Sequence, residues 1–176
     1  MLESCQVRTV MPDDLPMLLE WRNHPKIRRF MFTQHEISLE EHLNWYKRTS
    51  QDSSRSLLLV EEANSAIGYV QFNQITIGGV SDWGFYARPD APSGSGSKLG
   101  HAALQYAFDV LQLHKVCGQA IETNQASIRF HQKLGFTQEG VLREQRRLDH
   151  TYHAVICFGL LAHEWPKVKE AAYARH

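Results

Sequence analysis

Ala91-Pro92-Ser93-Gly94-Ser95-Gly96-Ser97-Lys98 is a run of small residues between two segments of different hydrophobic period. Val80 to Ala87 before it reads as a strand. After it, Leu99, Ala103, Tyr106, Ala107 and Val110 share one helical face, which predicts a helix from about Ser97 to Gln112. A strand, a glycine turn and a helix, followed by a further strand over Val116 to Ile121, make a β-α-β crossover and so constrain the fold to a sheet with a parallel step. The turn also carries chemistry. Glycines let backbone N–H groups converge, and the helix N-terminus adds partial positive charge, a surface that suits a diphosphate. Gly-x-Gly taken alone is equally a flexible loop, and the Walker spacing Gly-x-x-x-x-Gly-Lys-Ser/Thr is absent.

The remaining segments complete an α/β pattern. Gln6 to Val10 reads as a strand ended by Pro12-Asp13-Asp14, where an aspartate can cap a helix bearing Leu15, Leu18 and Leu19. That helix stops before Pro25. Ser38-Leu39-Glu40-Glu41 is a capping box opening a second helix. Ser56 to Glu61, Ala66 to Ile75 and Val80 to Ala87 form a meander; Gln125 to Leu134 is a helix and Tyr152 to Leu161 the last strand. The predicted order is β-α-α-β-β-β-α-β-α-β, with a ligand crevice at the carboxyl ends of the central strands. Residues 1–165 read as one domain and residues 166–176 as a polar C-terminal tail.

Charge and composition exclude several classes. The chain has 19 Lys and Arg against 19 Asp and Glu, so no global field favours nucleic acid or an anionic membrane. Cys5, Cys117 and Cys157 are too scattered for a disulfide framework or a zinc ribbon. No apolar run approaches the ~18 residues of a membrane span, and no leader pattern opens the chain. The expectation is a reduced, cytoplasmic protein without a metal; a homodimer is left open. His150 and His153 project to opposite faces of a strand and do not suggest a metal site. The segment Arg143 to Arg147 reads as a solvated hairpin or a contact to phosphates.

Gly94-x-Gly96-Ser97-x-Leu99, Leu113-His114-Lys115, Glu122-x-Asn124, Ser127-Ile128-x-Phe130 and Lys133-Leu134-Gly135-Phe136 together resemble the GCN5-related N-acetyltransferase (GNAT) superfamily over nearly the whole chain. The resemblance implies the GNAT fold, with a mixed, mostly antiparallel sheet, and acetyl-CoA as co-substrate. It places the pyrophosphate on the backbone of Ser93, Gly94, Ser95, Gly96, Ser97 and Lys98. It places the pantetheine arm along Phe85, Tyr86 and Ala87, with Asn124 ordering that arm or capping the next helix. Two positions depart from the family pattern: Ala91 replaces the usual arginine or glutamine, and His131 replaces the tyrosine that acts as general acid. By this resemblance His131 is the candidate acid; the alternative is a histidine that packs or hydrogen-bonds the arm.

A second constellation, Trp21-Arg22-Asn23-His24-Pro25 with Phe30-Met31 and Ile37 to Leu43, resembles the branch that acetylates a UDP-linked amino sugar in pseudaminic acid biosynthesis. It implies acceptor contacts from Trp21, Arg22, Asn23, His24, Met31, His42 and Gln119. Arg22 offers a planar fork for diphosphate or sugar oxygens, or it caps its own helix. Trp21 and Trp45 are base-stacking platforms or core residues. His42 is a second catalytic candidate, as a base, or an exposed histidine; Glu122 through water is the other base. A ribosomal-protein or peptide N-terminal acetyltransferase and a catalytically silent acyl-CoA-binding module remain the alternatives.

Overall fold

Leu57, Leu58, Leu59 and Val60 are apolar without alternation, and all four are buried. A strand reads this way when both faces of its sheet are covered. In the computed structural model, which describes residues 5–174, strands β1 (Cys5–Thr9), β2 (Ser56–Glu62), β3 (Ser65–Asn73), β4 (Val80–Ala87), β5 (Lys115–Ile121), β6 (Thr137–Leu148) and β7 (Thr151–Leu161) form one sheet. Their order is β1-β2-β3-β4-β5-β7-β6, and only β4 and β5 run parallel. The expected mixed, mostly antiparallel α/β sheet is the observed one.

Helices α1 (Leu15–Asn23), α2 (Pro25–Arg28) and α3 (Leu39–Thr49) cover one face. There Leu15, Leu18, Trp21 and Ile27 pack on Leu57, Leu59 and Tyr69. Helices α4 (Ser95–Gln105), α5 (Gln125–Lys133) and α6 (Trp165–Tyr173) are on the other face, over the larger core of Leu58, Val60, Val70, Phe72, Trp83, Val116 and Phe158. Two glycines bring elements close. A Cβ on Gly68 would lie 2.8 Å from the Leu99 side chain, and one on Gly100 would lie 2.5 Å from Leu134.

Local chemistry sets several boundaries. Ser38 caps α3, its Oγ accepting from the N–H of Glu41 at 3.1 Å. The Glu41 carboxylate does not close the expected capping box; it meets His35 Nε2 at 3.0 Å. Asp14 does not cap α1 with its side chain either, because its carboxylate accepts from Met11 N–H and Arg8. The long helix after the glycine turn is also shorter than predicted. α4 ends at Gln105, and Tyr106–Val110 continue as a π turn whose Leu111 N–H donates to the Tyr106 carbonyl at 3.0 Å.

The C-terminal part corrects two expectations. β6 is a seventh strand that the six-strand order lacks. Its side chains are almost all exposed, so no apolar alternation marks it; it forms by pairing with β7 at the sheet edge. The pairing slips between Leu142 and Arg146, where Glu144 adopts a φ of 50°. The supposed polar tail from residue 166 is instead most of α6. Pro166 does not end structure there, since proline in a first helical turn loses only an N–H that has no intrahelical acceptor. Trp165 anchors α6, packed near Phe108 and 4% exposed. Trp165→Ala is expected to lower unfolding free energy by about 3–5 kcal/mol, as for other buried aromatic truncations. Urea titration would show it, and a midpoint unchanged from the parent would mean α6 does not contribute to the core.

Candidate active site

The glycine turn is set by Gly94, which precedes α4 with a φ of 91°, in the left-handed region that favours glycine. A Cβ there would touch nothing within 4 Å, so the turn needs this glycine for its backbone angle and not for space. Ser95 N–H donates to the Pro92 carbonyl and Lys98 N–H to the Gly94 carbonyl. The N–H groups of Gly96 and Ser97 in the same turn take no such carbonyl among the described residues, which leaves them as donors for an anion. The Lys98 ammonium is already paired with Glu62 on β2, so this turn offers backbone more than side-chain charge.

β4 and β5 share three pairs, Val80 with Lys115, Ser81 with Val116 and Asp82 with Cys117, and then part. Beyond that fork, Trp83 to Ala87 have backbone groups with no β5 partner. This is an edge on which an amide-bearing arm can hydrogen-bond as an added strand. Phe85, Tyr86 and Ala87 lie along it, ending beside the phosphate turn. Asn124 caps α5, its Oδ1 accepting from Ser127 N–H at 3.1 Å, and Phe130 of that helix stacks near Phe85 at 4.5 Å.

At the fork His131 has surroundings unlike those of a proton donor. It is 0% exposed, inside a cage of Trp83, Phe85, Phe130, Phe136 and Phe158. Trp83 Nε1–H donates to its Nε2 at 3.1 Å, and its Nδ1 lies 2.8 Å from the Ser127 carbonyl. Because the indole can only donate and the carbonyl only accept, the ring is the neutral Nδ1–H tautomer. Burial pushes its pKa down to about 4, against a smaller upward pull from the Ser127 carbonyl. The expected imidazolium acid is therefore not the species this fold stabilises near neutrality.

On the opposite sheet face, a row of rings runs from α3 to β4. His42 stacks on Trp45 at 5.2 Å, Trp45 meets Tyr69 edge-on at 6.3 Å, and Tyr69 leans on Tyr86 at 5.1 Å. His42 is 5% exposed, not an exposed histidine, and its Nε2 has no hydrogen-bond partner among the described residues. Burial lowers its pKa, the Leu15 backbone opposes this, and the nearby Arg22 charge lowers it further. Arg22 donates from NH2 to the Thr33 carbonyl at 2.9 Å, while its buried NH1 has no partner among the described residues. Gly84, on this face beside the fork, would carry a Cβ into open space. His42 and His131 thus sit on opposite faces of the sheet.

Other residues named from sequence have structural work. Asn23 bridges the N–H and carbonyl of Ile37 at 2.8 Å each, tying α1 to the start of α3. His24 caps α2 through Lys26 N–H. Trp21 is buried in the smaller core, and Met31 packs against it. Gln119 is exposed on β5, 3.9 Å from the Cys157 sulfur. Glu122 accepts from Ala154 N–H at 2.9 Å. Sequence reasoning missed Trp83 and Gly118. The indole and imidazole nitrogens lie directly over Gly118, where a Cβ would come within 2.3 Å of His131 Nε2.

Two predictions follow from this geometry. Above pH 6.5 neither the folded nor the unfolded state protonates His131; below it the unfolded chain gains a proton that the folded chain refuses until about pH 4. Stability should then fall by about 3 kcal/mol in that window, and His131→Phe should remove most of that slope, with His42 leaving a remainder of the same sign. Chemical denaturation at several pH values reads it; equal slopes in the two proteins would refute the neutral assignment. Gly94→Ala, strained at its positive φ, should weaken CoA binding about tenfold by displacing the first-turn N–H groups. Calorimetry with CoA checks this, and unchanged affinity would place the diphosphate elsewhere.

Residues 6–137 match the family model described as acetyltransferase (GNAT) domain. The chain is 33% identical over 124 residues to the acetyltransferase PseH of Campylobacter jejuni, a span covering 70% of this chain and 77% of that protein. It is 23% identical over 164 residues to the spermidine N(1)-acetyltransferase of Escherichia coli, covering 92% and 88%. The solved spermidine N-acetyltransferase of Vibrio cholerae, in complex with CoA and spermine, superposes with a TM-score of 0.84 at 24% identity over 93% of this chain and 98% of that one, a likeness of fold. With the matched domain spanning both the glycine turn and the fork, the chain belongs to the GNAT acetyltransferases and is an acetyl-CoA-dependent N-acetyltransferase.

Proposed function

We propose that the acetyl acceptor is the 4-amino group of a UDP-linked amino sugar of the pseudaminic acid pathway type. The observation that carries this reading is Arg22, whose half-buried guanidinium holds the Thr33 carbonyl and leaves NH1 buried, with no partner among the described residues, beside an aromatic row. Burial lowers its pKa from the arginine value, so the charge is held at a desolvation cost that an oxyanion or a sugar oxygen would offset. A polyamine would need the reverse, desolvated carboxylates. The nearby acids do not offer them: Glu36 is 76% exposed beside Arg28, and Glu41 is 46% exposed beside His35. The 33% identity to the acetyltransferase PseH supports the resemblance carried by the Trp21 to Leu43 segment.

In this reading CoA lies with its diphosphate on the Gly96 and Ser97 N–H groups and its arm along the free edge of β4. The sugar amine, neutral when it reacts, enters over Gly84 and attacks the thioester carbon. Charge builds on the carbonyl oxygen, within reach of β4 backbone N–H groups. The C–S bond then breaks. The proton lost by the amine nitrogen passes through solvent to the departing thiolate, His131 being neutral with its one N–H turned to Ser127. His42, whose Nε2 takes no hydrogen bond among the described residues, orients the acceptor or relays the amine proton to that solvent.

Thiol release from acetyl-CoA, followed with a UDP-4-amino sugar, with spermidine and with a peptide N-terminus, separates the readings. Turnover of the sugar alone is expected. Turnover of spermidine or peptide with the sugar inert would replace this acceptor, and acetyl-CoA binding with no transfer to any of them would point to a silent module. Arg22→Ala should raise the acceptor KM by about 10- to 100-fold, the range for a lost charge-assisted hydrogen bond, with the KM for acetyl-CoA unchanged. Loss of thermal stability without a KM change would make Arg22 a structural residue only.

A further inference from the structure

We propose that Trp83, pinned by its hydrogen bond to His131, sets the size of the acyl group this enzyme transfers. The proposal rests on the donor placement above, with the arm on the free edge of β4. A diphosphate held at Gly94 to Ser97 lies at the Ala87 end of that edge, because the turn follows β4 directly. The arm then runs back along Phe85, and its thioester reaches the fork, where β4 and β5 part after Asp82 and Cys117.

The two sides of the fork are unequal. On the acceptor side Gly84 has open space above it. On the other side the first residues past the fork are Trp83 and Gly118, and α5 inserts His131 between them. Trp83 is 7% exposed and His131 0%. Phe85 and Phe136 press on the indole at 4.9 and 5.2 Å, and Phe158 stacks on the imidazole at 4.7 Å. Close-packed interiors of this kind yield little to added volume. An acetyl methyl ends against this wall. A propionyl or butyryl chain must push the indole aside, and doing so breaks the bond between Trp83 Nε1–H and His131 Nε2 inside an apolar cage, where neither nitrogen finds another partner.

His131 is thus a positioning residue. It neither touches the acceptor nor gives up a proton; it fixes one rotamer of the indole. Gly118 belongs to the same device, since any Cβ would enter the space of both ring nitrogens.

The readout is acyl selectivity, which a merely structural contact would not move. Affinities for CoA, acetyl-CoA, propionyl-CoA and butyryl-CoA are measured by calorimetry without acceptor. Turnover of the three thioesters is then measured with the amine that the parent enzyme acetylates. The parent should prefer acetyl-CoA by about tenfold or more per added methylene, the scale of a methylene rejected by a filled pocket. Trp83→Leu should bring acetyl- and butyryl-CoA to within about threefold while CoA affinity stays put. His131→Phe should relax the preference partly, and His131→Gln, whose amide oxygen can accept from the indole, should retain it. Trp83→Phe/His131→Phe, which removes both polar groups together, covers the case where a single variant does not fold, and it too should relax selectivity. A preference for acetyl-CoA unchanged in the folded Trp83 variants would overturn the proposal, as would an equal loss across CoA and all thioesters. Failure of the parent to bind CoA at all would instead overturn the donor placement, and this inference with it.

Discussion

Between β4 and β5 a parallel ladder runs for three residue pairs and stops, and the two strands leave each other while still inside one sheet. Buried backbone groups need partners, so a fork of this kind must be filled by side chains, by water or by a ligand that resembles a strand. Here the α5 side is filled by Trp83 and His131, and the α1–α3 side is left open above Gly84. The free edge of β4 and the open face above Gly84 both take their positions from this divergence. The helices hold it apart: α4 and α5 approach closely through Gly100, while α1 and α3 seat the aromatic row that ends on Tyr86.

The electrostatics of the two faces differ for the same reason. On the α5 side, burial among aromatic rings keeps His131 neutral, and two oriented hydrogen bonds specify its tautomer. On the α1–α3 side the buried charge is a guanidinium, which does not surrender its proton, next to a histidine whose pKa is depressed.

Much of this was legible in the residues. The apolar run Leu57 to Val60, the capping serine at Ser38 and the glycine turn at Gly94 each encode their structure locally, through period, a side-chain oxygen or a backbone angle. β6 and α6 were not legible. β6 has almost no apolar alternation and exists because β7 offers it a ladder. α6 begins at Trp165-Pro166, where a proline reads as a stop until the tryptophan is seen to be buried. Asn23 and His24 are acceptor contacts only by family resemblance; what the structure adds is that Asn23 binds the backbone of Ile37 across the fold, while His24 caps α2 locally through Lys26 N–H.

The amino-acid sequence alone determined the class of sheet and the glycine turn before α4, because each depends on residue type and spacing along the chain, and it placed a histidine at position 131. It left open what His131 does. An imidazole donates, accepts or carries charge according to its neighbours, and those neighbours are Trp83, 48 positions earlier on β4, and Phe158 on β7. Only the tertiary structure brings these rings together over Gly118, and their burial keeps the imidazole neutral, its Nε2 accepting from the indole N–H.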